Sequence, residues 1–212
     1  MRRPVPIVAT IVVAVAVAAM IGLGIWQLQR RHEKLAALER YAANLHAPPV
    51  VWPRFGTGDE VLFRKSSAYC LRPLSWSREA GRDASGKPGW RQIVTCATGA
   101  EGPPLTVQLG VASSPEGHPA WKGGEVSGWI SHAPNHRSLI GGLFDRTPKT
   151  LMLVASTPVA GLAANPGPDL SAVPNNHLAY AVQWFVFAAI ALIIYAIALR
   201  RRLRGTEPPP PA

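Results

Sequence analysis

The chain has 212 residues, 48% of them hydrophobic, and a formal net charge of +10 at pH 7. That excess resembles a nucleic-acid signature until it is mapped: ten Lys or Arg against three acids lie before Leu45 and after Ala172, so the segment between carries only +3. Cationic residues beside apolar segments meet anionic headgroups, so the charge points to a lipid bilayer and no nucleic-acid partner is expected.

Arg2 and Arg3 precede an apolar run from Ile7 to Ile25, closed by Trp26. Its length matches the roughly 20 residues needed to cross a hydrocarbon core. Ala16, Ala18 and Ala19 also suit a signal-peptide cleavage site, but the run is long and continues into a further helical pattern, so a retained span is expected. Ala14, Ala18 and Gly22 form a small-residue stripe suited to packing against a second membrane helix. Beyond it, Leu28, Leu35 and Leu38 keep helical spacing among charged residues, which predicts a stalk helix to about Tyr41, stopped by Asn44 and the Pro48, Pro49 pair.

The next segment is rich in Gly, Pro and β-formers. Leu105, Val107, Leu109 and Val111 alternate with Thr106, Gln108 and Gly110, the period of a half-buried strand. Further strands are expected near Val61 to Phe63, Tyr69 to Ser77, Trp90 to Thr98, Val126 to Ile130 and Leu151 to Ala155, with a short helix around Ser138 to Phe144. A compact antiparallel sheet or partly open barrel follows. If the second and third of these runs form a hairpin centred near Asp83, Cys70 and Cys96 face each other and either form a disulfide or remain two small buried thiols.

The last apolar run extends from Leu178 to Leu199. No Lys or Arg occurs between Lys149 and Arg200, and Arg200, Arg201, Arg202 and Arg204 then follow at once. By the positive-inside rule both termini are cytoplasmic and the central domain lies outside. The expected organisation is a cytoplasmic start (1–6), a first span (7–26), a stalk (27–44), a β-rich domain (45–176), a second span (177–199) and a basic, Pro-rich tail (200–212). The fold class is α+β: a two-helix transmembrane hairpin flanking one extracytoplasmic, mainly antiparallel β domain.

Catalytic signatures are sparse. Gly81, Gly86 and Lys87 fit part of a phosphate loop, but Pro88 replaces its Ser or Thr and the setting is a hairpin turn. No H-E-x-x-H, G-x-S-x-G or C-x-x-C occurs, so no enzyme activity is expected, and neither cysteine has a copper-ligand partner at useful spacing. His32, His46, His118, His132 and His136 lie in charged or turn-like sequence and read as surface groups. His177 stands apart. It opens the second span, with Tyr180, Ala181 and Trp184 at helical spacing on its face, which suits either a flat cofactor or a plain helix start with an aromatic belt. Trp26 and Arg30 occupy the matching boundary of the first span.

The segments Gly22-Leu-Gly24-Ile-Trp26-Gln27-Leu-Gln-Arg30, with Glu33-Lys34, and Asn175-Asn176-His177-Leu-Ala-Tyr180-Ala-Val-Gln-Trp184-Phe185 resemble the two end motifs of the surfeit locus protein family of cytochrome c oxidase assembly factors. The resemblance covers both ends, in order and each beside a span. It thins between them: many members carry Arg-Gly-Trp where this chain has Leu109-Gly110-Val111, so the roles of that Arg and Trp are not carried over. The resemblance implies a membrane-anchored assembly factor that binds heme a and presents it to the oxidase core subunit and its assembly intermediates. His177 is then the candidate axial ligand, with Tyr180, Trp184 and Trp26 around the macrocycle. The alternative is a cofactor-free scaffold gripping an oxidase intermediate. Only Met1 to Pro6 precede the first span, too few for a mitochondrial presequence, so a bacterial inner membrane with a periplasmic domain is expected.

Overall fold

The structure, a computed structural model, describes residues 6–53, 58–100, 102–134, 149–171 and 173–204. Two compact units emerge: residues 1–37 with 174–212, and Leu38–Val173. The first is built from helix α1 (Ile7–His46) as far as Ala37 and from helix α2 (His177–Arg204), both long and apolar enough to cross a membrane. The protein is therefore an α+β, two-span membrane protein. Helix α1 is unbroken from the apolar run through the charged stalk and ends at His46, a turn beyond the expected stop at Tyr41. Asn44 does not break the helix. Its side-chain amide instead donates to the carbonyls of Glu60 (2.7 Å) and Leu62 (2.9 Å), tying the end of the stalk to the domain.

The second unit contains a seven-stranded sheet in the order β1-β2-β6-β7-β5-β4-β3. Its strands are β1 (Val50–Val51), β2 (Lys65–Cys70), β3 (Arg72–Arg82), β4 (Pro88–Ala97), β5 (Leu105–Ala112), β6 (Gly124–His132) and β7 (Leu151–Ala155). The sheet is mixed: β1 with β2 and β5 with β7 are parallel, and the other pairings are antiparallel. As predicted, Leu105, Val107 and Leu109 are fully buried on one face of β5. They join Cys70, Val94, Cys96, Val126, Leu153 and Ala155 in the main core, against Trp76 and Trp121. Ile93, Met152 and Val154 form a smaller cluster with Trp129. All five residues of β7 are buried, because it is a central strand covered on both faces.

Two local expectations differ from the structure. Val61 to Phe63 is not a strand: a 3₁₀ turn spans Asp59–Val61, pinned where the Asp59 carboxylate meets His132 Nε2 at 2.8 Å. The run from Tyr69 to Ser77 is two strands, since β2 ends at Cys70 and β3 begins at Arg72. The helix expected around Ser138 to Phe144 lies outside the described residues. The hairpin itself forms, with Arg82 opposite Pro88. Asp83 Oδ1 accepts from the Ser85 and Lys87 amides and the Ser85 hydroxyl, and the last of these holds the carboxyl below its ordinary pKa. Gly86 supplies the left-handed turn position at φ 84°, so Gly81 to Lys87 is a hairpin tip and not a phosphate loop.

Cys70 and Cys96 form a disulfide with a Cα separation of 5.3 Å. They are not opposite each other in the hairpin, as the spacing predicts. Cys96 pairs with Pro73 and Leu105, whereas Cys70 ends β2 and pairs with Gly124. Only Leu71 separates β2 from β3, yet these strands lie near opposite ends of the sheet order. The sheet must therefore curl until its margins meet at Leu71, whose amide donates to Ala97 O at 2.9 Å. The disulfide staples that seam, giving a partly open barrel.

Candidate functional site

Within the helical unit the buried faces follow a three-and-four repeat. On α1, Val17 and Gly24 are buried and Thr10, Val13, Met20 and Gln27 half-buried; on α2, Ala181 and Ala188 are buried and His177, Trp184, Phe185 and Tyr195 half-buried. This spacing is that of a left-handed helix pair. The expected stripe of Ala14, Ala18 and Gly22 is exposed, and nothing lies within 4 Å of the place a Gly22 side chain would take. Gly24 is the close approach: a Cβ there would sit 2.6 Å from Phe185 Cε1. Deeper in the spans, the Thr10 hydroxyl hydrogen-bonds the Tyr195 hydroxyl across the pair.

Replacing Gly24 by Leu is expected to force the helices apart there. Overpacking of this kind costs about 1–3 kcal/mol. Hydrogen exchange of the α1 and α2 amides in detergent should speed up roughly tenfold, about 1.4 kcal/mol of lost protection. Unchanged exchange would refute the contact.

One turn beyond Gly24, the same interface face carries Gln27, and the first residue of α2 is His177. His177 Nδ1 lies 2.8 Å from Gln27 Oε1. An amide oxygen can only accept, so Nδ1 is the donor. In the neutral imidazole the second nitrogen, Nε2, then holds the lone pair, and it has no hydrogen-bond partner among the described residues. Sequence reading names Gln27 within the first end motif but gives it no role, because its place on the packing face is not legible in a helix that is apolar all round. Two residues before His177, the Asn175 side-chain oxygen is buried with no donor among the described residues. An unmet buried acceptor carries a penalty of about 1–3 kcal/mol, retained here beside the histidine.

The aromatic candidates are arranged unevenly. Tyr180 is 52% exposed at the margin of the same α2 face. Trp184 is half-buried and meets Phe187 edge-on, with ring centroids 6.3 Å apart. Trp26 is not brought to His177. At 100° per residue it lies about 200° around α1 from Gly24, where the Arg30 guanidinium sits 5.6 Å from its ring centroid and binds Glu33 at 2.7 Å.

Elsewhere, the β domain holds a cavity of about 550 Å³ lined by Leu45, Phe63, Lys65, Trp129 and Pro168 among others. Among the described residues no cluster of three His, Cys, Asp or Glu is placed to hold a metal ion. The chemistry that remains at the helical site is that of a single imidazole beside apolar and aromatic surface, a donor of the kind that ligates heme iron. A family model described as the SURF1 family matches residues 14–189, from inside the first span to inside the second. No curated protein matches the chain.

Proposed function

The chain belongs to the SURF1 family of cytochrome c oxidase assembly factors, and on that premise we propose that it holds heme a at the mouth of α2 and presents it to the oxidase core subunit. The observation that carries this reading is the state of His177: one ring nitrogen is tied inside the helix pair and the other has no hydrogen-bond partner among the described residues. His177 Nε2 would take an axial position on the iron, and Tyr180 and Trp184 would offer ring faces to the macrocycle. Trp26, on the far side of α1, is left to anchor the membrane boundary with Arg30. Heme a is cargo in this scheme, so the protein works by binding and release and catalyses no reaction of its own.

The site opens outward. The Arg cluster after α2 supports, by the positive-inside rule, a reading in which both termini are cytoplasmic and the β domain faces the periplasm of a bacterial inner membrane. The Cys70–Cys96 disulfide supports that side, because such bonds persist in an oxidising compartment. Expression of the full chain together with the heme a pathway, followed by purification in detergent, tests the reading by absorption spectroscopy. A stoichiometric heme a band is expected. Protein that retains the oxidase core subunit but carries no heme would overturn it in favour of a cofactor-free scaffold.

A further inference from the structure

The two segments that meet at His177 are 150 residues apart in sequence, and they meet through one hydrogen bond, His177 Nδ1 to Gln27 Oε1 at 2.8 Å. Such a bond does three things to an imidazole that ligates a metal. It fixes which nitrogen carries the proton, it stops ring rotation, and it draws Nδ1–H toward an acceptor so that Nε2 becomes a stronger donor. A histidine at the first residue of a helix needs this help. No preceding helical turn confines its ring there, and its neighbours Asn176 and Leu178 are both exposed. Gln27, by contrast, sits on a rigid element, in the middle of the 40-residue α1 and one turn from the Gly24 and Phe185 contact.

We propose that Gln27 is the positioning residue for His177: held on α1, it keeps the imidazole of α2 in the Nδ1–H form and aims Nε2 as the ligand. The two end segments of the chain thereby make one coordination unit, and the helix pair must be assembled before a metal can be held. This rests on the heme reading for its purpose but not for its first measurement, which needs no heme.

The test uses the full chain in detergent, labelled with ¹⁵N-histidine, as parent, Gln27→Leu and Gln27→Glu. In heme-free parent and Gln27→Glu protein the His177 nitrogen shifts should report the Nδ1–H tautomer; in Gln27→Leu they should move toward the Nε2–H form that free imidazole side chains favour. With heme loaded, Gln27→Leu should weaken binding by roughly ten- to a hundredfold, the usual effect of losing an outer partner of a ligating histidine. Gln27→Glu should retain near-parental affinity and lower the heme reduction potential, a shift that a purely structural bond would not produce. Parental tautomer, affinity and potential in Gln27→Leu would overturn the inference while leaving heme binding intact. If instead His177→Ala binds heme as the parent does, the assignment of His177 as the ligand fails while heme binding stands, and the tautomer shift alone still decides whether Gln27 positions the imidazole.

Discussion

Purified His177→Ala protein is expected to lose its heme a band, with affinity falling by at least the roughly hundredfold that loss of an outer-shell partner alone can cause. On the proposed reading the substitution removes the iron ligand itself, and the neighbouring rings offer no replacement. Tyr180 offers only a phenol, and Trp184 has only an N–H donor. The fold should survive. His177 contributes one cross-helix hydrogen bond, and alanine is the residue that the first turn of a helix tolerates best. Circular dichroism and an unchanged Thr10–Tyr195 region, read by exchange, separate lost ligation from lost packing. Substituting Tyr180 or Trp184 singly should weaken binding by a smaller factor, since each supplies contact area and no coordinate bond. A His177→Ala protein with a parental heme spectrum would refute the ligand assignment.

The largest stability effect expected in the β domain comes from the disulfide. Cys70 and Cys96 are 26 residues apart and both fully buried. Closing a loop of that size restricts the unfolded chain by about 3.5 kcal/mol in the chain-entropy treatment. The Cys70→Ser, Cys96→Ser double variant should therefore unfold roughly 10 °C below the parent. The effect should be larger than loop closure alone, since two hydroxyls would replace sulfur in the fully buried main core and β2 and β3 would no longer be joined at Leu71. Thermal melts followed by near-UV circular dichroism measure it, and a midpoint within 2–3 °C of the parent, under about 1 kcal/mol, would contradict the stapling role. Reductant added to the folded parent should act slowly, because it reaches the buried sulfurs only when the barrel opens.

Much of this architecture can be read from the chain. The alternation of Leu105 to Val111 identifies β5 and its core face, but it does not reveal that the other face is covered as well: Gln108 is buried, its side-chain amide donating to Asn165 Oδ1 at 2.7 Å. Both spans follow from length and apolarity. What could not be read is which face of each span packs. A helix that is apolar all round gives no contrast between lipid and protein, so Ala14, Ala18 and Gly22 looked as good as Val17 and Gly24, and the placement of Trp26 away from His177 had no signature. The break at Leu71 was hidden for a different reason: β2 and β3 have continuous strand propensity, and only tertiary pairing with β6 on one side and β4 on the other divides them. His177 stood out by position, whereas its tautomer depends on Gln27, a contact no local pattern encodes.

The place of β7 sets an order of events. It lies between β6 and β5, at the middle of the sheet, and is the last strand in chain order among the described residues. Until Leu151–Ala155 has been synthesised, β5 and β6 can each be paired on one side only, and the core cannot close over Leu153. The hairpin of β3 and β4 with β5 can form early, from local contacts. The barrel is completed by threading one short strand into a waiting gap, just before the second span is made. A delay at β7 would leave β5 and β6 each half-paired and open to aggregation or to capture by a chaperone.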